Sequence, residues 1–447
     1  MRINWIQLQK ITSKMEPILL NIAENKDFQA LFTPQLQKLR GFFESRGFEI
    51  RIAGGAVRDL LMNIKPADVD FASTATPTQM KEIFEAEQIR MLHKRGEEHG
   101  TITCRIDDCE NFEVTTLRVD VVCDGRRAKV EFTEDWQLDA NRRDLTINSL
   151  FLSLDGTVVD YFGGIGDIKS RRVCFVGDAR QRIQEDYLRI LRYFRFFGRI
   201  SNTSEHEDDT ILAIIENKDG IKGISGERIW TELKKIVIGR MASEVIYTMI
   251  KECKLNVLLG LPEECNIERF KMVFKRFEGS LDPMTMIACL CEEVEDISNF
   301  HKVTKLSNDE RNTGEFILEH RREAQENLEN IDFWQDKIVD LEQRPGHDPS
   351  LEKLRRRVVQ LAKSVGANRE ILEIIEKFES PKFPIDGKVL MSSGNLKKGP
   401  HVRNVLMYLF DLWRQSKFSM SQEELLEHTN DGNIPILSKK STSPKRV

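Results

Sequence analysis

The chain has 447 residues and a mass of 51.8 kDa, which is too long for one ordinary hydrophobic core and predicts about three domains. Hydrophobic residues make up 40% of it and charged residues 31%, a balance that excludes a disordered or fibrous protein. No apolar run reaches the ~18 residues that cross a bilayer, so the sequence excludes an integral membrane protein. The 67 basic and 72 acidic residues give a net charge of −5, so any nucleic-acid partner must be held by local basic patches.

The N-terminal segment differs in charge from the rest of the chain. Its first residues carry Arg2, Lys10 and Lys14 and no acid, whereas acids are frequent from Glu16 onward. An acid-poor, basic and amphipathic start is typical of a mitochondrial presequence, and the alternative is a frayed N-terminal helix. We expect a mitochondrial leader and N-terminal extension over residues 1–27, with Met15 available as a second start.

The next part of the chain predicts an α/β head of about 140 residues. Apolar residues at helical spacing predict a helix over 28–50, and from residue 48 to about 160 the period changes to that of strands. Short helices are predicted over 55–62 and 78–87, the latter opened by Thr76 as N-cap and Pro77 as first residue. The predicted strands are 48–53, 69–72, 101–106, 112–118, 129–132 and 157–161.

The first predicted strand runs into a glycine pair and then into a helix. Gly54 and Gly55 let the backbone approach a ligand closely, and the N-terminus of the following helix offers unpaired N–H groups to a phosphate. Arg58, one turn into that helix, can add a charge-assisted hydrogen bond. Taken alone, this pattern is also that of an ordinary tight turn.

Two aspartates follow on the next predicted strand. Because a strand has a period of two, Asp68 and Asp70 project from the same face. Adjacent carboxylates without a basic partner repel each other, and a divalent cation that neutralises both makes the pair favourable. Paired Mg²⁺ ions clamp the attacking and leaving oxygens in phosphoryl transfer. The glycine pair and the two aspartates together predict a nucleotide and metal site.

A third carboxylate is expected on a neighbouring strand. Glu113 alternates correctly with the apolar residues around it and is our preferred candidate. Glu131 alternates equally well on a later strand and is the alternative. Either could also be an ordinary solvent-facing glutamate of a strand.

Two basic segments come next. Arg142 and Arg143 are predicted at a helix start, where they suit a triphosphate or a sugar; the alternative is a capped helix that begins with exposed charges. Residues 160–172 are rich in glycine and basic side chains, which predicts a mobile loop near the phosphates or the primer. The candidate residues in this loop are Asp160, Lys169, Arg171 and Arg172.

From about residue 178 onward the whole pattern is helical, and a predicted helix over 182–199 is the most informative. Asp186, Arg189, Arg192 and Arg195 recur every three or four residues and form one polar stripe opposite an apolar face. Asp186 can accept from an exocyclic amine and Arg189 can donate to a ring nitrogen or oxygen, a pattern that suits cytosine or adenine and not guanine or uracil. Arg192 and Arg195 would then face the phosphates or the incoming nucleotide. The alternative is a basic surface with an Asp–Arg helix pair.

These motifs, in this order and spacing, resemble those of the class II tRNA nucleotidyltransferases, or CCA-adding enzymes, of the DNA polymerase β nucleotidyltransferase superfamily. The resemblance covers residues of about 50–240 closely and the C-terminal half weakly. It includes residues 226–230, Gly-Glu-Arg-Ile-Trp, which are similar to the family's fifth motif that braces the base-reading helix.

The resemblance implies an α+β head, a small mixed β-sheet with helices in the nucleotidyltransferase fold, followed by an all-α neck, body and tail. The implied divisions are the extension 1–27, head 28–173, neck 174–240, body 241–335, tail 336–430 and a basic flexible C-terminus 431–447. The body and tail would grip the acceptor stem and elbow of tRNA by backbone and shape. Local basic points for this contact are 126–127, 169–172, 321–322, 355–357 and 397–398.

The activity implied by the resemblance is addition of C, C and A to tRNA 3′ ends from CTP and ATP without a nucleic-acid template. The tRNA 3′-hydroxyl attacks and pyrophosphate leaves. Asp68 and Asp70 would hold Mg²⁺, with Glu113 as the further catalytic carboxylate. The implied nucleotide-binding residues are Gly54, Gly55, Arg58, Arg143, Asp186, Arg189, Arg192 and Arg195. A presequence-like start fits a mitochondrial enzyme, a start at Met15 fits the cytoplasm and nucleus, and we expect a monomer or homodimer.

Two other functions fit parts of the pattern. A bacterial-type poly(A) polymerase shares the same head motifs. A non-catalytic RNA-binding protein could be built on an inactive transferase head, although the intact Asp68 and Asp70 argue against it.

Overall fold

The computed structural model describes residues 15–92, 97, 99–123, 128–346, 351–392, 399, 401–431 and 434. The predicted leader up to residue 14, the basic points 126–127 and 397–398, and most of the predicted basic C-terminus lie outside these ranges. The chain divides into two compact units, Met1–Glu263 with Phe300–Lys305, and Glu264–Asn299 with Leu306–Val447. In the described ranges, none of the helices combines the length and the apolar character needed to cross a membrane. The finer divisions expected from the sequence stay predictions.

The strands lie in the first unit and form a large mixed sheet and a small hairpin sheet. They are β1 (Ile18–Asn21), β2 (Ile50–Ala53), β3 (Asp70–Ser73), β4 (Arg90–Leu92), β5 (Thr101–Ile106), β6 (Glu110–Thr116), β7 (Arg118–Cys123), β8 (Ala128–Phe132), β9 (Phe151–Ser153) and β10 (Thr157–Asp160). The large sheet has the order β1-β10-β9-β2-β3-β6-β5-β4, and β7 pairs with β8. Among the described strands of the large sheet, β3 and β6 pair in parallel and the other pairs are antiparallel, so the predicted mixed sheet is confirmed.

Helices are the other main element in both units. Up to residue 263 they are α1 (Lys26–Gln29), α2 (Pro34–Glu44), α3 (Gly55–Leu61), α4 (Pro77–Ala86), α5 (Trp136–Asn141), α6 (Gly164–Ser170), α7 (Ala179–Glu185), α8 (Leu188–Ile200), α9 (Asp208–Asn217), α10 (Gly226–Ile236) and α11 (Ala242–Tyr247). Those that follow are α12 (Ile267–Phe277), α13 (Pro283–Leu290), α14 (Val294–Thr304), α15 (Asn308–Glu326), α16 (Ile331–Gln343), α17 (Leu351–Ser364), α18 (Arg369–Lys377), α19 (Gly387–Ser392), α20 (His401–Gln415) and α21 (Gln422–Glu427). Beyond β10 the described residues contain no further strand, which confirms the predicted all-α remainder.

Local capping explains where the predicted long helix over 28–50 is wrong. Two short helices occupy this stretch, because the side chain of Thr33 accepts from the N–H of Leu36 and Pro34 opens the second helix. Pro34 restricts the residue before it to extended backbone, so one helix cannot run through. The predicted cap at Thr76 is confirmed, with Gln79 completing a capping box.

The predicted strand boundaries hold best where alternation is long. The prediction 101–106 coincides with β5, and 48–53 contains β2. Four strands were not predicted, namely β1, β4, β7 and β9. Of these, β1, β4 and β9 have three or four residues each, which is too few for a period-two pattern to stand out.

The core of the sheet holds the elements that carry the candidate site. Trp136 of α5 packs edge-on against Phe151 of β9, with ring centroids 4.7 Å apart, in one buried cluster with Ala53 and Ala72. Burying a side chain such as Phe contributes about 1.5–3 kcal/mol. The cluster therefore fixes the ends of β2 and β3 relative to α5. The second unit has its own cores, one around Trp334 of α16 and one around Trp413 of α20.

Candidate active site

The glycine turn after β2 is shaped around an arginine. Gly54 has φ +63°, which favours glycine. A Cβ added there would lie 3.0 Å from Nη1 of Arg143 and 3.4 Å from the carbonyl oxygen of Asn148. Gly54 is therefore needed both for the backbone turn and for the close approach of the guanidinium. The predicted turn between strand and helix is present, with α3 beginning at Gly55.

The carboxylates predicted for a metal lie on neighbouring strands. Asp70 is the first residue of β3 and stands in parallel register with Glu113 of β6, so the two side chains project from the same face of the sheet. Asp68 lies two residues earlier, outside the strand, which corrects the prediction that both aspartates belong to it. Glu131 is on β8, in the separate hairpin sheet, opposite Val119. The register therefore favours Glu113 over Glu131 as the neighbour of the aspartates.

The electrostatics of these carboxylates suit a cation. Desolvation, and then the charge of Asp68, raise the pKa of Asp70, while Arg143 acts in the opposite direction. Desolvation and the charge of Asp70 raise the pKa of Glu113. A cation would relieve this repulsion, and carboxylate oxygens are ligands of hard divalent ions. Within the described part of the chain, no three His, Cys, Asp or Glu side chains converge closely enough to hold a metal by themselves.

The two arginines after α5 stand at the end of that helix, so the predicted helix start at Arg142 is wrong. Both pair with Asp139, which is 1% exposed: Nε of Arg142 donates to Oδ1 at 2.9 Å and Nη2 of Arg143 to Oδ2 at 3.0 Å. Burial would raise the pKa of Asp139, but Arg142 and Arg143 outweigh it and hold the pKa below its usual value. The ionised carboxylate fixes Arg143 beside Gly54. The sequence analysis missed Asp139, although its spacing of three and four residues from the arginines is a helix-pair signal.

Arg58 lies beneath the glycine turn rather than in open solvent. It is 3% exposed, and its Nη1 donates to Oδ1 of Asn148 at 2.5 Å and its Nη2 to Oδ1 of Asp59 at 2.9 Å. Asp59 also accepts from Nη2 of Arg199 on α8 at 2.9 Å. The predicted contact of Arg58 with a nucleotide stays a prediction, and its observed contacts join α3 to α8.

The predicted continuous helix over 182–199 is broken at Asp186. This residue has φ −152° and ψ 106°, between α7 and α8. Its Oδ1 accepts from the N–H of Leu188 at 3.1 Å, a local bond of the kind aspartate forms at helix starts. Its Oδ2 accepts from Nη2 of Arg228 on α10 at 2.6 Å. The predicted brace from the segment 226–230 is thus a hydrogen bond to the carboxylate itself, whose side chain is 28% exposed.

Arg189 connects the broken helix pair to the arginines after α5. Its Nη1 donates to Oε2 of Glu185 at 2.7 Å and to the carbonyl oxygen of Arg182 at 3.2 Å. Its Nη2 donates to the carbonyl oxygen of Arg142 at 2.9 Å. A guanidinium has five N–H donors, so these three bonds use three of them, and the residue is 9% exposed.

Arg192 and Arg195 are paired with buried acids and share an aromatic ring. Nε of Arg192 donates to Oδ2 of Asp144 at 2.6 Å, and Nε of Arg195 lies 3.1 Å from Oε2 of Glu232. The ring of Phe196 has the guanidinium carbons of Arg195, Arg58 and Arg192 at 4.3, 4.9 and 5.5 Å from its centroid. Three cations around one ring lie within cation–π range. The sequence analysis missed Phe196, for which the spacing of four residues from Arg192 was the available signal.

The middle of the segment 160–172 is the helix α6, Gly164–Ser170, so the predicted loop character is wrong for those residues. Asp160 is buried and its carboxylate accepts from the N–H groups of Gly164 at 3.1 Å and Ile165 at 2.9 Å at the start of α6. A contact of Asp160 with tRNA would require this cap to open. Lys169 is exposed, Arg171 ends the helix with φ +59°, and Arg172 pairs with Glu207 at 2.5 Å. Their predicted contacts with tRNA stay predictions.

In the predicted basic point 321–322, Arg321 has a structural role, whereas the side chain of Arg322 is exposed. Arg321 is 5% exposed, and its Nη1 donates to the carbonyl oxygen of Cys291 at 2.7 Å. It also donates to the carbonyl oxygen of Ala288, so it binds carbonyl groups at the end of α13. Arg356 in the segment 355–357 is more exposed and pairs with Asp282.

Known proteins share this fold and this order of motifs. Residues 50–174 match the family described as "Poly A polymerase head domain", and residues 206–263 match "Probable RNA and SrmB- binding site of polymerase A". A relative from Mus musculus named "CCA tRNA nucleotidyltransferase 1, mitochondrial" is 46% identical over 410 residues, covering 91% of this chain and 92% of the relative. A "CCA-adding enzyme" of Pediococcus pentosaceus is 31% identical over 385 residues, covering 83% and 90%. The solved structure of the Bacillus stearothermophilus CCA-adding enzyme in complex with CTP is similar in fold, with a TM-score of 0.67 at 23% identity over 89% of this chain and 97% of that one.

Proposed function

The chain belongs to the CCA-adding tRNA nucleotidyltransferases, and from this premise we propose that it completes tRNA 3′ ends with C, C and A from CTP and ATP, without a nucleic-acid template. The observation that carries the proposal is the placement of Asp70 in register with Glu113, in electrostatic contact with both Asp68 and Arg143. Acidic groups for a metal and a cation for a triphosphate thus lie at one end of β3. In the reaction, the tRNA 3′-oxygen bonds to the α-phosphorus and the bond to pyrophosphate breaks.

Enzymes of this family use divalent metal ions, and we propose Mg²⁺ held by Asp68 and Asp70. The ion would supply charge neutralisation at the phosphates and at the attacking oxygen. Mg²⁺ is commonly bound by one or two carboxylates plus substrate phosphates, which fits a site where the carboxylates adjoin without closing a cage of their own. Glu113 would supply a third negative charge next to Asp70, from the same face of the sheet.

The triphosphate is proposed to bind at the turn of Gly54 and Gly55, beside Arg143. The bond of Arg143 to Asp139 pre-orients its guanidinium, so little side-chain entropy is lost when a nucleotide binds. Arg58 supports the turn through its bond to Asn148. Arg192 and Arg195 add positive charge on α8. Their acids, Asp144 and Glu232, hold both guanidinium groups in place.

Base selection is proposed to rest on Asp186 and Arg189. Arg228 and the N–H of Leu188 hold the Asp186 carboxylate, which can accept from the exocyclic amine of cytosine or adenine. Uracil and guanine present a carbonyl oxygen at that position, which the carboxylate repels. Arg189 would donate with the N–H groups that its bonds to Glu185, Arg182 and Arg142 leave available.

The proposed macromolecular partner is tRNA, bound at its acceptor stem and elbow. One similar solved structure is of a Thermotoga maritima CCA-adding enzyme complexed with tRNA, at a TM-score of 0.62. Relatives are named mitochondrial, and we propose a mitochondrial form together with a cytoplasmic and nuclear one that starts at Met15. The proposed oligomeric state is a monomer or homodimer.

Incubation of the protein with tRNA that lacks its terminal CCA, with each nucleotide singly, tests the function. CTP alone should add two residues, ATP alone should add none to this substrate, and both together should add three. Long tails from ATP alone would establish a poly(A) polymerase instead. Asp70→Ala should abolish all addition; unchanged tRNA binding with no addition by the wild-type chain would establish a non-catalytic protein.

The third carboxylate has a matched control. Glu113→Gln should lower kcat strongly, whereas Glu131→Gln, at an exposed position of the hairpin sheet, should leave it unchanged. The reverse result would move the third carboxylate to Glu131.

A further inference from the structure

A glycine outside the motifs described above lies in contact with the residue that follows Asp186. Gly220 belongs to a short 3₁₀ helix, Lys218–Gly223, directly after α9. A Cβ added to Gly220 would lie 2.1–2.3 Å from three ring atoms of Tyr187. Gly220 is absent from the residues with positive φ, so its backbone conformation is open to any L-residue. Close packing of the ring is therefore the reason for glycine at this position.

The contact continues a series of bonds between α7 and α9. Nε of Arg180 donates to Oε2 of Glu216 at 2.6 Å. One turn later, Nε2 of Gln184 donates to Oδ1 of Asn217 at 2.9 Å. The contact of Tyr187 with Gly220 follows just beyond the C-terminal ends of both helices. The series ends where α7 ends, at the break occupied by Asp186.

The 3₁₀ helix is itself fixed, so it can act as a rigid support. Nζ of Lys218 donates to the carbonyl oxygen of Cys253 at 3.0 Å, and Ile221 is fully buried. A ring displaced from this support must move the chain that carries it. Tyr187 lies in the break between α7 and α8. There the N–H of Leu188 donates to Oδ1 of Asp186, and the N–H of Arg189 donates to the carbonyl oxygen of Asp186 at 2.9 Å.

We infer that Gly220 is a positioning residue for base selection. The ring of Tyr187 packs against Gly220, and this packing sets the position of the adjacent Asp186 carboxylate. The inference rests on the proposed role of Asp186. Ordinary contact begins at 3.4 Å, so a methyl group at residue 220 would push the nearest ring atom, 2.1 Å away, by about 1.3 Å. Misplacement of a reacting or recognising group by about 1 Å can cost ~100-fold in rate.

The test measures kcat/KM for CTP and for UTP on tRNA that lacks CCA, because these bases differ at the group Asp186 is proposed to read. Gly220→Ala should lower the CTP/UTP ratio by ~10- to 100-fold. The matched control is Gly223→Ala in the same 3₁₀ helix, where an added Cβ meets nothing within 4 Å, and its ratio should equal that of the wild type. Tyr187→Ala should also lower the ratio, and Gly220→Ala should add nothing further in that background.

The outcomes separate this inference from the proposed function. An unchanged ratio in Gly220→Ala, with a lowered ratio in Asp186→Ala, would overturn the positioning role and leave Asp186 as the reading group. An unchanged ratio in Asp186→Ala would overturn the proposed base selection. If Gly220→Ala fails to fold, Tyr187→Ala decides, and an unchanged ratio there overturns the inference.

Discussion

Nη2 of Arg228 lies 2.6 Å from Oδ2 of Asp186, so a residue of α10 holds the carboxylate at the break between α7 and α8. At the same break, the ring of Tyr187 packs against Gly220. Two segments therefore hold Asp186 in place. Helix α10 binds its carboxylate, and the 3₁₀ helix Lys218–Gly223 packs against the adjacent Tyr187. A group held on both sides can discriminate between bases because it does not move to accommodate the wrong one.

Replacing Arg228 by Gln should impair base selection more than nucleotide binding. The charge-assisted hydrogen bond to Asp186 is lost, and the carboxylate gains rotamer freedom. We expect the CTP/UTP ratio of kcat/KM to fall by about tenfold, with a smaller change in the KM for CTP. Steady-state kinetics with both nucleotides measure this, and Lys222→Gln, an exposed cation paired with Asp219, is the control. Equal losses for both nucleotides would contradict the role of the contact.

Asp70→Asn should raise the stability of the metal-free protein while abolishing activity. Desolvation and Asp68 raise the pKa of Asp70, so the folded state disfavours its charge. This penalty is fully present above the folded pKa, decreases as pH falls through it, and is absent below the unfolded value, about 4. At pH 7 the variant should therefore unfold at a slightly higher temperature than the wild type. The gain in the free energy of unfolding should be less than about 1 kcal/mol, because the side chain is exposed and its charge is screened by solvent.

Thermal melts with and without Mg²⁺ complete that test. Mg²⁺ should stabilise the wild type, more at pH 8 than at pH 5, because protonated carboxylates bind it poorly. It should leave Asp70→Asn almost unchanged. Equal stabilisation of both proteins would place the ion elsewhere.

Asp139→Asn should destabilise the fold and weaken nucleotide binding. Removing one partner of a buried ion pair costs about 3–5 kcal/mol, and here two arginines lose their carboxylate. The low pKa of Asp139 means that its contribution is present above the unfolded value, about pH 4, and lost as pH falls through the folded one. Urea unfolding from pH 7 to pH 3 should therefore show a flatter acid dependence in the variant. A parallel dependence in both proteins would contradict the pairing.

Phe196→Leu should raise the KM for CTP and ATP alike. The ring faces Arg58, Arg192 and Arg195, and each cation–π contact contributes about 0.5–2 kcal/mol. Its neighbour Phe197 stacks on His206 with ring centroids 3.8 Å apart and touches none of these arginines through a cation–π contact in the described structure. Phe197→Leu should therefore lose stability with an unchanged KM. Equal KM values in the two variants would show that the Phe196 ring does not contribute to nucleotide binding.

The sequence predicts those parts of the structure whose signal is local. The glycine turn at Gly54, the strand β5 and the cap at Thr76 follow from spacing and turn chemistry within a few residues. The neighbouring strand position of Glu113 follows from alternation, but its register with Asp70 depends on a parallel pairing across forty residues of chain, which no local pattern encodes.

The errors have a common physical cause. Asp186 ends one helix and Arg142 follows another, although the polar stripe and the arginine pair suggested an uninterrupted helix and a helix start. Aspartate serves equally as a surface residue of a helix and as a local hydrogen-bond acceptor at its boundary. The choice here is made by Arg228, which approaches from forty-two positions away. Phe196 was missed because only the fold brings Arg58 to its ring, whereas Asp139 was missed although its arginine partners lie three and four residues away.

The central claim is that protein side chains alone direct the sequence C, C, A. The most direct measurement is to sequence the 3′ ends of tRNA lacking CCA after incubation of the purified protein with Mg²⁺ and an equimolar mixture of all four nucleotides, with no other nucleic acid present. We expect ends that read CCA and stop, with extra U or G in Asp186→Ala but not in the exposed neighbour Gln184→Ala. Adenosine tails on the wild-type product, or clean CCA ends from Asp186→Ala, would contradict it.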